Sequence, residues 1–590
     1  MKALWTLNPY FWKYKWLLFS GIFFVILSAG FAVYPAIYVR EAFDKVAISI
    51  SESANTEIAN KALRDSLILY SLLILGMSVL KGLFTFLMRQ TLIVMSRHIE
   101  YDLKNDIYDQ YQRLDNAFYR KNSTGDLMNR ISEDVSKVRM YLGPSLMYTI
   151  NTAFATILTL VFMFSVDFKL SLLTLAPMPV LVWCIYKVSG LINLRSHAVQ
   201  RQQSAISTLA QETFSGLRVL KAFGLEKEQT KRYASSALTS FEKNEKLYRV
   251  NALFMPLLLL LVGTSTLIAV WIGGEGVIAG RLSPGVIAEF IYYVNLLTWP
   301  IASIGWIMSM VQRAEASMER VNDFLKIDPE IINAKNTLVP NEIKGLIEFK
   351  CVSFTYPQSG KKAIIDLSIK IKAGETVVIV GKTGSGKSTL VSLINRLMDP
   401  QNGSISIDGI DVKSWPLERL RLAIGTVPQD PFLFSDSISD NISFGASGSS
   451  FKDVKFFAEI ANLTGDIESF SDGFNTIVGE RGITLSGGQK QRLSIARALL
   501  KRPQLVIFDD ALSSVDTDTE VKILSALKSQ LNTVTTLIVT QRLSAVHLAD
   551  RILVFDNGHL VQQGSHIELM DKIGIYKDLY RLQNPENWKQ

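Results

Sequence analysis

Two cysteines in 590 residues, Cys184 in an apolar run and Cys351 in a strand-like stretch, cannot build a disulfide framework or a cysteine-based metal site. Both read as buried thiols. The five histidines are scattered and add no metal motif. The formal net charge of +8 is not gathered into a Lys/Arg block with interleaved aromatics, which argues against nucleic acid as a partner and for an anionic membrane surface. Glycine and proline are sparse in two long segments, near 91–140 and 192–250, so few chain breaks are expected there.

What is present is apolar sequence in long runs. The chain is 48% hydrophobic with only 20% charged residues, and its mean hydropathy is positive. A hydrocarbon core needs about 20 mainly apolar helical residues. Six stretches qualify, at roughly 16–38, 66–90, 141–165, 170–191, 251–273 and 285–309. The first follows Lys15 and is longer than a signal-peptide core, so it reads as a retained helix. Before it, Tyr10, Phe11, Trp12, Tyr14 and Trp16 surround Lys13 and Lys15, as suits a short helix lying at the membrane interface.

Charge sets the expected orientation. Arg97, Lys104, Arg113, Arg120, Lys121, Arg130, Lys137 and Arg139 lie between stretches two and three. Arg195, Arg201, Arg218, Lys221, Lys227, Lys231 and Arg232 lie between four and five. The opposite turns carry only Lys169 and Arg281, and the basic residues of the first outer loop, about 39–65, are accompanied by acids. The positive-inside rule then places both basic segments and both termini in the cytoplasm, on a multi-pass protein of the cell inner (plasma) membrane. Helical periodicity in the basic segments implies that spans two to five run on well past the bilayer. Turns are expected at Tyr119–Asp126 and at Phe214–Arg218. Within the spans, Lys81 is read as snorkelling to the inner interface and Glu289 as marking the outer end of the sixth. Tyr292, Tyr293, Trp299 and Trp306 suit a cavity wall, a lipid-facing position or packing.

The expected domains are a transmembrane domain over 1–325, a polar linker over 326–344 (Pro329, Asn333, Asn336, Pro340), and a nucleotide-binding domain over 345–590. In the last, β-rich runs alternate with helical ones. The fold class is thus an α-helical transmembrane domain of six long spans fused to an α/β P-loop NTPase. Gly381-Lys382-Thr383-Gly384-Ser385-Gly386-Lys387-Ser388 fits G-x-x-x-x-G-K-[ST] between the strand Thr376–Val380 and the helical run Thr389–Met398. Glycines let the backbone wrap phosphates, the helix N-terminus adds positive potential, and Lys387 reaches the terminal phosphates. Ser388 is a Mg²⁺ ligand by the same motif, and Asp509, ending the apolar run Leu505–Phe508, is the matching carboxylate.

These residues resemble the ATP-binding-cassette (ABC) family, and the likeness spans nearly the whole chain. Leu485-Ser486-Gly487-Gly488-Gln489 is similar to its signature motif, which implies that these residues cap the nucleotide of a second, partner cassette. Gln429, in Val427-Pro428-Gln429-Asp430, resembles the loop glutamine that touches Mg²⁺, and Tyr356 the aromatic that stacks on adenine. Ser513-Ser514-Val515-Asp516 matches the D-loop, and Val478–Gly482 resembles a segment found in exporters. Tyr119–Arg139 and Gln211–Phe223 look like the two coupling helices of six-helix exporters. The resemblance implies ATP contacts from Tyr356, Gly381–Thr389 and Gln429, with Mg²⁺ on Ser388, Gln429 and Asp509.

Two positions depart from the pattern. Asp510 stands where the family has a water-polarising glutamate, shorter by one methylene or roughly 1.5 Å of reach. Gln541 stands where it has a histidine; glutamine can hydrogen-bond but cannot carry a proton. Together they resemble the degenerate half of a heterodimeric exporter, whose other subunit supplies the missing pair. The reading is an ATP-driven exporter half for a hydrophobic or amphipathic cargo (drug, lipid or peptide), working by alternating access with weak hydrolysis at its own site. A homodimer in which Asp510 works, and an ATP-gated channel or regulator, are the alternatives.

Overall fold

The computed structural model describes residues 2–51, 57–334, 337–338, 342–357, 359–446, 448–530 and 533–583. Asn336 and Pro340 of the expected linker lie outside the described residues. The chain divides into two compact units, Met1–Gln112 with Ser123–Ile327 and Arg113–Asn122 with Asp328–Gln590.

The first unit is helical. Its main helices are α1 (Lys15–Val33), α2 (Pro35–Ser51), α3 (Glu57–Arg113), α4 (Leu146–Val166), α5 (Met178–Ser215), α6 (Glu226–Ile278) and α7 (Gly285–Leu325). Among the described residues, six continuous helical stretches are long and apolar enough to cross a membrane, the longest running 54 residues from Asn60 to Arg113. At 1.5 Å per residue that is about 80 Å, far more than a hydrocarbon core of about 30 Å. The extension expected for spans two to five is therefore present as helix. Its cause is local: few breakers interrupt the periodic sequence. The breaks that do occur have clear chemistry. Ser123 caps the helix Thr124–Asn129, its Oγ accepting from the Asp126 amide at 3.3 Å, and Gly216 separates α5 from a short helix, Leu217–Phe223.

Most of the bundle's apolar surface is outward. Leu69, Leu72, Leu75, Val79, Leu83 and Phe86 are exposed at helical spacing on α3. In lipid such a face needs no protein cover. A smaller core joins α1, α2, α4, α5, α6 and α7 through Val33, Ala36, Met163, Ile185, Ala269 and Phe290.

Three sequence expectations are corrected. The first outer loop begins later than residue 39, because α2 continues to Ser51. Glu289 does not merely mark the outer end of a span. It is fully buried, bonded to Arg40 Nη1 at 3.0 Å and to the Tyr293 hydroxyl at 2.8 Å. Asp44, one turn along α2 from Arg40, accepts from the Ser283 hydroxyl and the Gly285 amide, both at 2.7 Å. An acid in an apolar bundle must be paired, and these groups pair it. Neither cysteine is buried as expected: Cys184 is intermediate and Cys351 exposed. Cys351 has φ 48° at an irregularity in strand pairing, and that kink turns its side chain outward. Lys81 is exposed, Tyr293 is buried and Trp299 is 62% exposed.

The second unit carries two sheets. A four-stranded antiparallel sheet runs in the order β2-β1-β4-β5, with β1 at Ile347–Thr355, β2 at Lys362–Ile371, β4 at Asn402–Ile407 and β5 at Ile410–Asp411. A six-stranded sheet runs β10-β9-β3-β8-β7-β6. Here β3 is Thr376–Gly381, β6 Ile424–Val427, β7 Leu505–Asp509, β8 Thr535–Val539, β9 Arg551–Asp556 and β10 His559–Gly564. All its pairings are parallel except β9 with β10. Alternate residues feed two cores. Val378, Val380, Val506, Phe508 and Ile538 point to one, and Val377, Ile379, Ile507, Leu537 and Val539 to the other. Burial on both faces is why these strands read as unbroken apolar runs.

Candidate nucleotide-binding site

Ligands of parallel α/β sheets sit beyond the carboxyl ends of the strands. Here β3, β6, β7 and β8 end together, and each delivers one predicted element. From β3 the chain enters the loop Gly381–Gly386 and then α8 (Lys387–Ile394). Gly386 has φ 105°, and a Cβ there would run into the Ala363 carbonyl oxygen, so the turn requires glycine. Lys387 is buried, its Nζ donating to the Gly381 and Lys382 carbonyls at 2.8 and 2.9 Å. Burial pushes its ammonium below the ordinary lysine range, and Asp510 and Asp509 oppose that shift.

Asp509 ends β7. Its Oδ1 accepts from the Ser388 hydroxyl at 3.0 Å. Burial holds this carboxyl above the ordinary aspartate range, against the Ser388 hydrogen bond. Asp510 follows at φ 51°, with its amide donating to the Val539 carbonyl at 2.8 Å. Gln429, two residues past β6, donates from Nε2 to Asp510 Oδ2 at 3.4 Å. Gln541, just past β8, accepts from the Thr383 hydroxyl at 3.4 Å. Tyr356 and Thr389 share a hydroxyl–hydroxyl bond of 3.0 Å.

One cavity of about 260 Å³ takes in Tyr356, Thr383, Gly384, Gly386, Lys387, Ser388. Thr389, Gln429, Asp509, Asp510 and Gln541 complete its predicted lining. Gly381 and Lys382 lie behind, as carbonyl partners of Lys387, and Ser385 donates nothing to the wall although its Oγ lies 3.5 Å from Lys387 Nζ. Leu485–Gln489 is not part of this lining. Ser486 and Gln489 instead form a capping box at the start of α9 (Gly487–Leu500), and Gln489 donates to Asp466 at 2.8 Å. Gln491 on α9 bonds Ser513 and the Ser514 amide, tying the D-loop segment to this helix.

Two basic groups at the site were not among its expected residues. Lys361 lines the cavity just before β2. The Arg120 guanidinium, on the short helix Asn116–Lys121, lies over the Tyr356 ring at 5.6 Å from its centroid. Asp115, which caps that helix, also accepts from the Glu330 amide at 2.8 Å. No motif announces either residue. Arg120 and Tyr356 are far apart in sequence, and only folding brings them together.

The donor set fits a nucleotide with Mg²⁺. The loop has room for phosphate oxygens only because its turn residues are glycine, and the Ser388–Asp509 pair offers hard oxygen ligands. Among the described residues no group of three or more His, Cys, Asp or Glu could hold a metal alone. Phosphate and water oxygens would therefore complete the shell, as Mg²⁺ prefers.

Six membrane-length helices joined to a P-loop nucleotide-binding unit define an ATP-driven membrane transporter subunit. Family models agree: ABC transporter transmembrane region matches residues 17–301, and ABC transporter matches residues 364–513. The chain is 37% identical to a probable multidrug resistance ABC transporter ATP-binding/permease protein of Bacillus subtilis, covering 79% of this chain and 80% of that one. It is 32% identical to an ATP-dependent lipid A-core flippase of Syntrophus aciditrophicus, covering 86% and 84%. A bacterial Atm1-family ABC exporter solved with ATP bound superposes with a TM-score of 0.78 at 26% identity, covering 96% of this chain and 98% of that one. The chain belongs to the ABC transporter family, with the exporter fold, and is an ATP-hydrolysing transporter.

Proposed function

We propose that this chain is one half of an exporter for hydrophobic or amphipathic cargo, paired with a non-identical half. In this reading its own site holds nucleotide more than it hydrolyses it. Both termini and the nucleotide-binding unit face the cytoplasm of a cell whose inner (plasma) membrane the helices span. The carrying observation is Asp510, which sits in the same cavity as Lys387, Ser388 and Asp509 but ends one methylene short of a glutamate.

The chemistry follows from the residues. On ATP binding, Lys387 leaves the Gly381 and Lys382 carbonyls and turns to the terminal phosphates, while Tyr356 stacks on the adenine. Ser388, Gln429 and Asp509 would hold Mg²⁺, which when bound would supply positive charge to neutralise the phosphates. Gln429 and Asp510 orient water at the γ-phosphate. Misplacing such a group by about 1 Å costs on the order of 100-fold in rate. Gln541 donates a hydrogen bond to the phosphate but moves no proton. Ser486, Gly487 and Gly488 complete the partner's site.

Purified alone and with candidate partner halves, the chain should show slow ATPase alone and fast ATPase in the correct pair. Robust turnover by the pure chain would overturn the heterodimer. The second reading, a homodimer using Asp510, draws support from the 3.4 Å approach of Gln429 to Asp510, and the same assay separates the two. Lys387→Ala should abolish tight ATP binding at this site in either case.

A further inference from the structure

Two lysines line the nucleotide cavity, and their surroundings differ. Lys387 is buried, and its ammonium is bonded to the Gly381 and Lys382 carbonyls. Lys361 lies at the exposed rim, just before β2. Among the described residues its ammonium makes no hydrogen bond or ion pair. The two acids of the lining are engaged elsewhere, Asp509 with Ser388 and Asp510 with Gln429.

The backbone fixes where Lys361 points. The turn from β1 to β2 is closed by two bonds, the Tyr356 amide donating to the Lys361 carbonyl at 3.0 Å and the Gly360 amide to the Tyr356 carbonyl at 2.9 Å. Successive side chains of extended chain alternate between faces. Lys361 and Ala363 accordingly line the cavity, and Lys362 between them does not.

The same stretch abuts the phosphate loop, since a Cβ on Gly386 would strike the Ala363 carbonyl oxygen. Lys361 Nζ itself lies against Gly384, where a Cβ would come within 3.2 Å of it. Gly384 has φ 81° and no side chain, so the loop presents bare backbone beside the ammonium. A cation without a counter-ion next to such a loop suits an anion. Tyr356 marks the adenine end of the cavity, and Ser388 with Asp509 the Mg²⁺ end. Lys361 is tied by its turn to Tyr356, so its charge falls toward the phosphates nearest the ribose.

We propose that Lys361 is a nucleotide-binding residue that pairs with the phosphates common to ATP and ADP, and so holds the product as firmly as the substrate. The proposal rests on the reading above of a site that holds nucleotide more than it hydrolyses it, and it names a group that does the holding.

The test uses the full chain alone in nanodiscs, titrated calorimetrically with ATPγS and with ADP in the presence of Mg²⁺. Lys361→Gln should weaken both about tenfold, with the ratio of the two affinities unchanged, and Lys361→Arg should restore them. Lys362→Gln removes the same charge from the opposite face and should bind both as wild type does. Added KCl should weaken wild type more than Lys361→Gln, because the lost pair is ionic. Equal affinity in wild type and Lys361→Gln overturns the assignment. An equal loss in Lys362→Gln also overturns it, as an effect of net charge alone. Loss confined to ATPγS would move the contact to the terminal phosphate and overturn the shared-phosphate claim. Binding that Lys387→Ala abolishes and Lys361→Gln spares sinks this inference and leaves the site standing. Fast ATPase by the pure chain would sink the nucleotide-holding reading and leave Lys361-dependent binding intact.

Discussion

Asp510 occupies left-handed backbone at φ 51°, a region that aspartate tolerates better than longer side chains. Lengthening it therefore has two opposed effects. Asp510→Glu should raise ATPase of the purified chain by on the order of 10- to 100-fold as the carboxylate regains its reach. It should also lower unfolding stability by about 1 kcal/mol from the backbone conformation. A flat ATPase in a folded variant would show that reach is not what limits turnover. Asp510 and Gln541 were legible in the sequence because each follows an apolar strand within a contiguous motif. Lys361 and Arg120 were not, since neither residue type nor spacing distinguishes a cation facing a cavity from one facing solvent.

At the scale of elements, the C-terminal helix Ile575–Gln583 reaches back to the site. Gln583 donates to the Gln541 carbonyl at 2.7 Å and accepts from the Leu543 amide at 3.0 Å. Gln583→Ala should free that amide, and faster hydrogen exchange at Leu543 would report the loss, at about 1 kcal/mol per bond. Protection equal to wild type would mean the clamp is redundant. His566 packs against the same helix through the Tyr576 hydroxyl at 2.6 Å, and burial, aided by His547, pushes its imidazole below the ordinary histidine range. Below about pH 6.5 the unfolded chain thus binds the proton more readily than the folded one. This group's contribution is complete above that pH and is lost as pH falls through the lower, folded value. Thermal unfolding of the nucleotide-binding unit in the intact chain should weaken from pH 7.5 to 5, and His566→Gln should flatten that slope.

The ion pair of α2 with α7 offers a parallel test. Arg40→Met strands a buried Glu289 and should cost about 3 kcal/mol, whereas Arg40→Met with Glu289→Leu should recover most of it. Thermal unfolding in detergent measures both, and equal loss in the two variants would argue that packing, not charge, is at stake. The long helices themselves were legible, because periodicity without breakers is a local property. This pair was not: residues 40 and 289 lie on different spans, and each alone reads as a charge near a membrane surface.

For the whole molecule, orientation can be read with the chain's own thiols. Cys351 is exposed and lies on β1 of the nucleotide-binding unit. In a Cys184→Ser background, a membrane-impermeant maleimide should label Cys351 in inverted vesicles and leave intact cells unlabelled. Labelling in intact cells would reverse the topology. That thiol was expected to be buried from its place in an apolar-looking strand. Strand alternation alone could not reveal the kink that turns it outward.

Sequence alone settles what local chemistry dictates here. Twenty-residue apolar runs make spans, a glycine-rich loop between strand and helix makes a phosphate cradle, and lost methylene or imidazole groups show in the letters themselves. Tertiary structure alone decides which distant groups meet. It bonds Asp509 to Ser388, pairs Arg40 with Glu289, lays Arg120 over Tyr356, and sets Lys361 beside Gly384. Those meetings depend on which faces of helices and ends of strands pack together, and that is set by burial summed over the whole chain.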